Sequence, residues 1–428
     1  MPLWRRRLSN LTPYLLSACA LVWRRLLFRT TFIVITGSVG KSTAAAALGP
    51  ILASHFSTNW PKGSSNTRRA LAETILRTRP WHRFVVIEVG TRAPGALRRA
   101  AWMIAPDIVV MLRVLNLHSN AFPTIEDMVA EKAAILTRLG KRGVALLNAD
   151  DPRVLAMAPS CGGPVRTFGL TSDAYMAASE ISAKWPQRLK FRATCGDQSA
   201  WVATNFVGEH MVYSALGALT AAVFCGVPLG KAAACFADIQ PVPGRMWPMH
   251  LPNGVTVLRD DHNASLQTLE VALDVLRSAE ASRRVLILGD VQDSRLSERP
   301  RIHYLGVKAA QSSDITVFVG ALAKVASRAA IKAGMPADSV QAFSTLQEAA
   351  HFLRSELRPG DLVLVHGWMG RHIERLILAQ LGSISCWLER CAKVLPCENC
   401  PELKLVAGVQ AATTAESLIV LLPGRGNS

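Results

Sequence analysis

The first thirty residues contain no acid, and the whole chain is short of them, with 31 Asp and Glu against 48 Lys and Arg. Charged residues make up only 18% and hydrophobic residues half, a balance that excludes an intrinsically disordered chain. There is no internal repeat of solenoid period, which excludes a stacked array. No run of Lys or Arg is interleaved with aromatics, so the groove that would bind nucleic acid is missing. Long apolar runs are missing too. Leu11–Trp23 is interrupted by Pro13, and thirteen helical residues reach about 20 Å, short of a hydrocarbon core of about 30 Å.

What is present is size, positive charge and thiols. A length of 428 residues allows two to three domains with cores of their own. The net charge of +17, carried mostly by arginine, suits acidic partners such as nucleotides, sugar phosphates or anionic lipid. An arginine-rich proteome is the other source of such a charge. Nine cysteines suit a reducing compartment, as thiols or metal ligands rather than disulfides.

The most informative stretch is Phe32 to Thr43. Phe32-Ile33-Val34-Ile35 reads as a buried strand, Thr36-Gly37-Ser38-Val39-Gly40 as a glycine turn, and Thr43 to Leu52 as a helix. That order aims backbone N–H groups and a helix N-terminus at an anion, with Lys41 as a point charge and Ser42 placed to put a hydroxyl on a phosphate-bridging magnesium. Position 35 is Ile where the standard phosphate loop has glycine. The arrangement predicts a nucleotide site. A secretory signal is disfavoured, because export would part this site from ATP and the strand follows too closely for a cleavage site. Residues 1–30, with Arg5, Arg6, Arg7, Arg24, Arg25 and Arg29, read instead as an interfacial helix on anionic lipid or a helix packed on the first domain.

Strand and helix then alternate. Phe84–Ile87 is a buried strand ending at Glu88, Ile108–Leu112 one running on to His118, and Val144–Asn148 a fourth; Ile125–Leu139 is helical in spacing and carries Lys132. In open parallel sheets ligands gather at the carboxyl ends of strands, so Glu88 and His118 are expected to face the phosphate loop and hold or screen a divalent cation. Residues 160–205 suggest a small antiparallel segment, and helices are expected over His210–Cys225 and Leu229–Ile239. Pro241–Arg245 breaks the pattern and is the expected domain boundary. A second α/β series follows, with strands at Val255–Leu258, Val285–Leu288, Ile315–Val319 and Asp361–Val365. The divisions are 1–30, 31–245, 246–382 and a cysteine-rich tail, 383–428. In the tail Cys386, Cys391, Cys397 and Cys400 suit a tetrahedral zinc site of four thiolates, an iron–sulfur cluster, or four structural cysteines.

Taken in order, Thr36–Ser42, Ser65-Asn66-Thr67, Ile87–Thr91, Asn116-Leu117-His118, Ala130–Ile135, Leu147–Asp151, Gly208-Glu209-His210, Pro243-Gly244-Arg245, Asp260–Ala264 and Leu288-Gly289-Asp290 resemble the motifs of the Mur ligases over residues 31–380. The nearest likeness is the branch that adds D-alanyl-D-alanine. The resemblance implies a central P-loop ATPase domain followed by a Rossmann-like ligase domain. It implies an ATP-dependent amide ligase of cell-envelope precursors: a carboxylate is phosphorylated, an amine attacks the acyl phosphate, and ADP and phosphate leave. It further implies that residues 36–43 hold the phosphates and that Ser42, Glu88 and His118 bind magnesium. Lys132 matches the lysine that is carbamylated in the family. Arg245, Asp260 and Asn263 would reach the nucleotide from the second domain, so catalysis needs domain closure.

The sequence departs from the family at several places. The domain that holds the uridine nucleotide has no counterpart ahead of residue 31. Met211, Ser214 and Ser265 stand where asparagines are usual, His366-Gly367-Trp368 replaces Lys-Gly-Ser, and the cysteine tail is foreign. The expected reading is a ligase with a diverged substrate, a surface-polysaccharide or cell-envelope precursor, with small carboxylate and amine substrates and no nucleic acid. It would work in the cytoplasm, in contact with the inner face of an anionic membrane through residues 1–30. A Mur-like nucleotide-binding or scaffold subunit without turnover is the competing reading. A small-metabolite kinase is disfavoured, because it has no use for a second Rossmann-like domain.

Overall fold

The computed structural model describes residues 3–61, 67–91, 93–115, 121–140, 143–262, 264–291, 296–389, 391, 393 and 395–407, with side chains from Tyr14 onward. The chain divides into two units, one running to Val242 and one beginning at Pro243, with Lys184–Pro186 going with the second.

The first unit opens with helix α1 (Leu3–Leu26), which leads into β1 (Thr31–Thr36) and α2 (Lys41–Ala53). Then come β2 (Thr58–Asn59), α3 (Arg68–Arg77), β3 (Phe84–Glu88), α4 (Ala96–Ile104), β4 (Ile108–Met111), α5 (Ile125–Ala133), β5 (Val144–Asn148), α6 (Pro152–Leu155) and β6 (Val165–Gly169). β7 (Met176–Ser182), β8 (Lys190–Cys195), β9 (Gln198–Ala203), α7 (Val212–Phe224) and α8 (Leu229–Cys235) complete it. Its nine strands form one sheet in the order β2-β3-β1-β4-β5-β6-β7-β8-β9. The sheet is parallel as far as β7, and β7, β8 and β9 pair antiparallel. β3, β4 and β5 are buried along their whole length, as their unbroken apolar runs require of strands covered on both faces. The chain leaves β1 toward β2 and β3 on one side and returns to β4 on the other, so the crevice at the carboxyl end of β1 is the switch point of the sheet.

Helix α1 continues through Pro13 rather than breaking there, although proline removes a backbone donor. Its second half is held by packing: Leu16, Ala20, Trp23 and Leu27 lie one helical stripe apart on the core formed by β1, β3, α3 and α4. Arg24 fixes this docking. Its guanidinium donates to the carbonyls of Ile104 (2.7 Å) and Ala105 (2.8 Å), the exposed C-terminal end of α4, and pairs with Asp107 at 2.9 Å. The same Asp107 oxygen accepts the Phe32 N–H at 2.8 Å, tying α1 to the start of β1. No described helix is long and apolar enough to cross a membrane.

Two helices are shorter than their sequences suggest. α5 stops at Ala133 and is followed by a 3-10 turn, Leu136–Arg138, where a single helix to Leu139 was expected; α8 stops at Cys235 rather than Ile239. In each case apolar spacing persists past the last helical hydrogen bond, because the turn that follows also buries its side chains.

The second unit runs β10 (Trp247–His250), β11 (Thr256–Asp260), α9 (Leu266–Ser278), β12 (Arg283–Leu288), α10 (Glu298–Ala310), β13 (Ile315–Val319), α11 (Ala323–Lys332) and β14 (Val340–Phe343). It continues with α12 (Leu346–Glu356), β15 (Asp361–His366), α13 (Arg375–Leu381), β16 (Gly382–Ser383) and β17 (Val406–Ala407). Six strands form a sheet in the order β10-β11-β15-β12-β13-β14, parallel except for the edge strand β10. Ser265, at a position where the family has asparagine, caps α9 by accepting the Thr268 N–H. The tail is joined to this unit: β17 pairs with β16, and Ile384, Cys397 and Leu403 belong to its core.

Arg24→Ala removes four hydrogen bonds made by a largely buried cation, which together contribute about 1.5–3 kcal/mol. Urea unfolding of the variant should show that loss, and limited proteolysis should cut within α1 first.

Candidate active site

The glycine loop lies at the switch point. Gly37 (φ 146°) and Gly40 (φ 82°) adopt backbone conformations that favour glycine, and both are crowded. A Cβ on Gly37 would lie 2.9 Å from Leu112 Cβ and 3.2 Å from the Arg113 carbonyl, and one on Gly40 would lie 2.4 Å from Ser214 Oγ of α7. Ser214, one of the departures from the family pattern, is therefore a wall of this loop. Between the glycines, Ser38 takes the Arg113 carbonyl with its N–H (2.7 Å) and exchanges hydrogen bonds with Leu115 through Oγ (2.9 Å each), while Val39 bridges Arg113. The loop is thus laced to the segment after β4, itself held where Asp151 accepts the Val114 N–H at 2.8 Å.

Gly40 caps α2 without a side-chain acceptor, which leaves the first-turn N–H groups of Lys41, Ser42 and Thr43 directed past the loop. Lys41 Nζ folds back on the carbonyl of Ser38 at 3.0 Å. Thr36, at the end of β1, has a buried hydroxyl with no hydrogen-bond partner among the described residues, and Thr43 is buried. Glu88 ends β3 in register with Ile35 and is 5% exposed. His118, expected beside it, lies outside the described residues, as do Ser65, Asn66 and Asn116.

Lys132 is the residue whose environment says most. It is 2% exposed and donates through Nζ to the carbonyl of Gly37 at 2.9 Å. Burial first, and then the Lys41 charge, hold its amine well below the ordinary lysine range, against the pull of Glu131. A helix-surface lysine, the bland alternative suggested by spacing, is ruled out by this burial. Glu131 is a residue whose job the sequence did not reveal. Its carboxylate accepts the N–H groups of Gly95 (2.6 Å) and Leu97 (2.7 Å) and so caps α4. Consecutive residues of α5 therefore fasten α4 and the phosphate loop. A buried acid beside a buried lysine is the signal that could have pointed to it.

In the second unit Asp260 closes β11 opposite His366 of β15, in register, and its Oδ2 lies 3.0 Å from His366 Nδ1. Thus the histidine that replaces the family's lysine is the partner of a predicted site residue, a pairing set by sheet register. Asp260 Oδ1 accepts the Met246 N–H, just after Arg245, at 3.3 Å. Asn263 lies outside the described residues. Next to Asp260, Arg259 is buried and paired with Asp261 (2.7 Å) and with Glu398 of the tail (3.1 Å).

The four tail cysteines line one small cavity with His372, Arg375 and Lys393. The four-thiolate set expected from spacing is not the compact group. Among the described residues, the group of three ligand atoms lying within 4.8 Å of one another comes from His372, Glu374 and Cys397. Burial and the Glu374 carboxylate push the Cys397 thiol up.

Comparisons with known proteins bear on the two units of the chain. A family model described as the Mur ligase middle domain matches residues 35–222, and one described as the Mur ligase, glutamate ligase domain, matches 244–368. A UDP-N-acetylmuramoyl-tripeptide–D-alanyl-D-alanine ligase of Mycobacterium bovis is 30% identical over 355 residues, covering 78% of this chain and 70% of its own. The Escherichia coli protein of that name is 26% identical over 275 residues, covering 63% of this chain and 60% of its own. Among solved structures, MurF from Acinetobacter baumannii superposes with a TM-score of 0.78 at 24% identity, over 86% of this chain and 80% of its own. MurF from Thermotoga maritima in complex with ADP gives 0.73 at 20% identity, over 85% and 82%.

Gly40→Ala places a side chain where φ is positive, at a cost of about 1–2 kcal/mol, and drives it into Ser214 Oγ. Nucleotide affinity, measured by calorimetry, should fall sharply. Adding Ser214→Ala should restore part of the affinity but none of the backbone cost.

Proposed function

The chain belongs to the Mur ligase family, and from that premise we propose how this ATP-dependent, carbon–nitrogen bond-forming enzyme of cell-envelope synthesis assigns its residues. The observation that carries the assignment is the buried Lys132 amine on the Gly37 carbonyl, beside Lys41 and the open N-terminus of α2. Residues 36–43 take the nucleotide phosphates, and Lys41 offsets their charge as they shift toward the acceptor. The donors fit a magnesium nucleotide: Thr36 Oγ1 is buried without a partner among the described residues, Gly37 and Gly40 leave a cradle that any Cβ would fill, and Ser42 and Glu88 offer hard oxygen ligands. Magnesium held there by Ser42 and Glu88, with His118 assigned to it by resemblance, would neutralise phosphate charge.

Lys132 fits carbamylation because its depressed basicity leaves a neutral amine, the form that attacks carbon dioxide. The resulting carboxylate is the oxygen ligand that a bare lysine cannot be. Arg245, Asp260 and Asn263 are assigned to the nucleotide by resemblance. The division at 30/31, 245/246 and 382/383 is proposed in the same way. Zinc belongs to the tail in this reading and takes no part in phosphoryl transfer.

The acceptor is proposed to be an acidic cell-envelope precursor met near a membrane. A groove of about 1050 Å³ beside α1, α3 and α4 is lined by Arg68, Arg98, Arg99 and Arg138 together with Tyr14 and Trp102. Next to it, α1 carries a second apolar stripe: Leu15, Val22 and Leu26 are exposed, with Phe28 80% exposed just beyond the helix. Arg25 and Arg29 flank this stripe and no acid does.

Two measurements test the reading. Lys132→Ala should lower ADP release with acceptor present by about 100-fold or more, and short carboxylic acids should restore part of it. Wild-type activity should fall as pH drops through the lowered lysine range, because the protonated amine cannot form the carbamate; a fully active alanine variant removes Lys132 from the site. The second is flotation with vesicles. Full-length protein should bind anionic vesicles over neutral ones, salt should release it within the screening range, and equal binding to both would remove the electrostatic contact.

A further inference from the structure

The tail cavity has about 10 Å³ of room, the size of one small ion or water and far too little for a substrate. Its walls are Cys386, Cys391, Cys397, Cys400 and His372, which are metal-binding types, with Lys393 at one side. All four cysteines are free thiols.

Three observations point to a cation. The first is spacing. His372 Nδ1 lies 3.4 Å from Cys397 Sγ and 3.0 Å from Glu374 Oε1. Nitrogen and sulfur ligands of one tetrahedral zinc, at about 2.0 and 2.3 Å from the metal, stand about 3.5 Å apart. The second is strain at a buried ligand. His372 is 1% exposed and its backbone sits at φ 52°, an unfavourable region for a non-glycine residue.

The third is charge. Arg375 is fully buried, and its guanidinium donates to the carbonyls of His372, Cys386 and Leu388 and to Cys386 Sγ. Among the described residues none of these acceptors is a carboxylate, and a buried cation needs an anion close by. Thiolates on a divalent metal supply one, since three of them leave the centre with a net negative charge. Lys393, already paired with Glu402 at 2.5 Å, also brings its Nζ to 3.9 Å from Cys400 Sγ at the solvent side.

We propose that this cavity binds one zinc ion, with Cys397 and His372 as the fixed pair of ligands and two of Cys386, Cys391 and Cys400 completing the tetrahedron. Each thiol that ligates gives its proton to solvent. Glu374 orients the pair: its Oε1 accepts the Cys397 N–H at 3.1 Å as well as facing His372. The site staples residues 383–407, which have little core of their own, to α13, and it fixes the Cys397–Cys400 turn that offers Glu398 to Arg259. The site stands independently of the ligase assignment, and metal content is read without any turnover.

The experiment is metal analysis of full-length protein purified under reducing conditions, with cobalt exchanged for zinc. About one zinc per chain is expected, with cobalt absorption of three thiolates and one nitrogen in a tetrahedral field. Cys397→Ser and His372→Ala should each lose the metal, while Glu374→Gln should keep it with roughly 10- to 100-fold lower affinity. Cys195→Ser, remote from the cavity, should keep it unchanged. Wild-type protein without zinc, zinc retained in Cys397→Ser, or iron with acid-labile sulfide would overturn the site. Zinc retained in His372→Ala, with a four-thiolate cobalt spectrum, would overturn the assignment of His372. The cobalt spectrum of the unmutated protein decides the ligand set even if a variant fails to fold.

Discussion

The close approach of the Gly37–Gly40 loop to the backbone after β4 and to α7 is the constraint on which the first unit depends. With Leu112 Cβ and Ser214 Oγ occupying the places where side chains would go, the loop has one path available. Everything that fixes its walls fixes the loop as well. The sheet supplies one wall through β4, and α7 supplies the other. The loop is consequently rigid before any ligand arrives, which is the condition for electrostatic stabilisation without reorganisation.

The Lys132 amine closes this arrangement from α5. Placing a lysine where water cannot reach is expensive, and the protein accepts that cost at a position touching the phosphate loop rather than in an arbitrary part of the core. Glu131, one residue earlier, satisfies the N-terminus of α4. Two adjacent side chains thus tie a helix and a loop to one short helix. α5 ends at Ala133, one residue beyond this pair.

Most of the first unit was legible because its information is local. A run of β-branched residues, a glycine turn and a helix follow one another within a dozen positions, and the Pro241–Arg245 break coincides with the division of the chain at Pro243. What could not be read depends on contacts far apart in sequence. The pairing of His366 with Asp260 is a matter of sheet register across 106 positions. Ser214 looked like a lost asparagine and is a wall of the loop. In the tail, cysteine spacing could not show that His372, Glu374 and Arg375, which α13 and the turn before it bring in from outside the cluster, lie beside these thiols. The short strands β10 and β14 were invisible because four residues of mixed character carry no clear period.

The ion pair between Arg259 and Glu398 joins residues 139 positions apart, and it sets a condition on biosynthesis. At ribosomal speeds of about 5–20 residues per second, β11 is made on the order of ten seconds before the tail that balances it. During that interval Arg259 has the Asp261 carboxylate but not that of Glu398. The nascent second unit therefore cannot reach its finished charge balance until nearly the last stretch of the chain has left the tunnel. A message truncated shortly before Glu398 would yield a product with every strand of the main sheet, yet with a buried guanidinium lacking its second carboxylate.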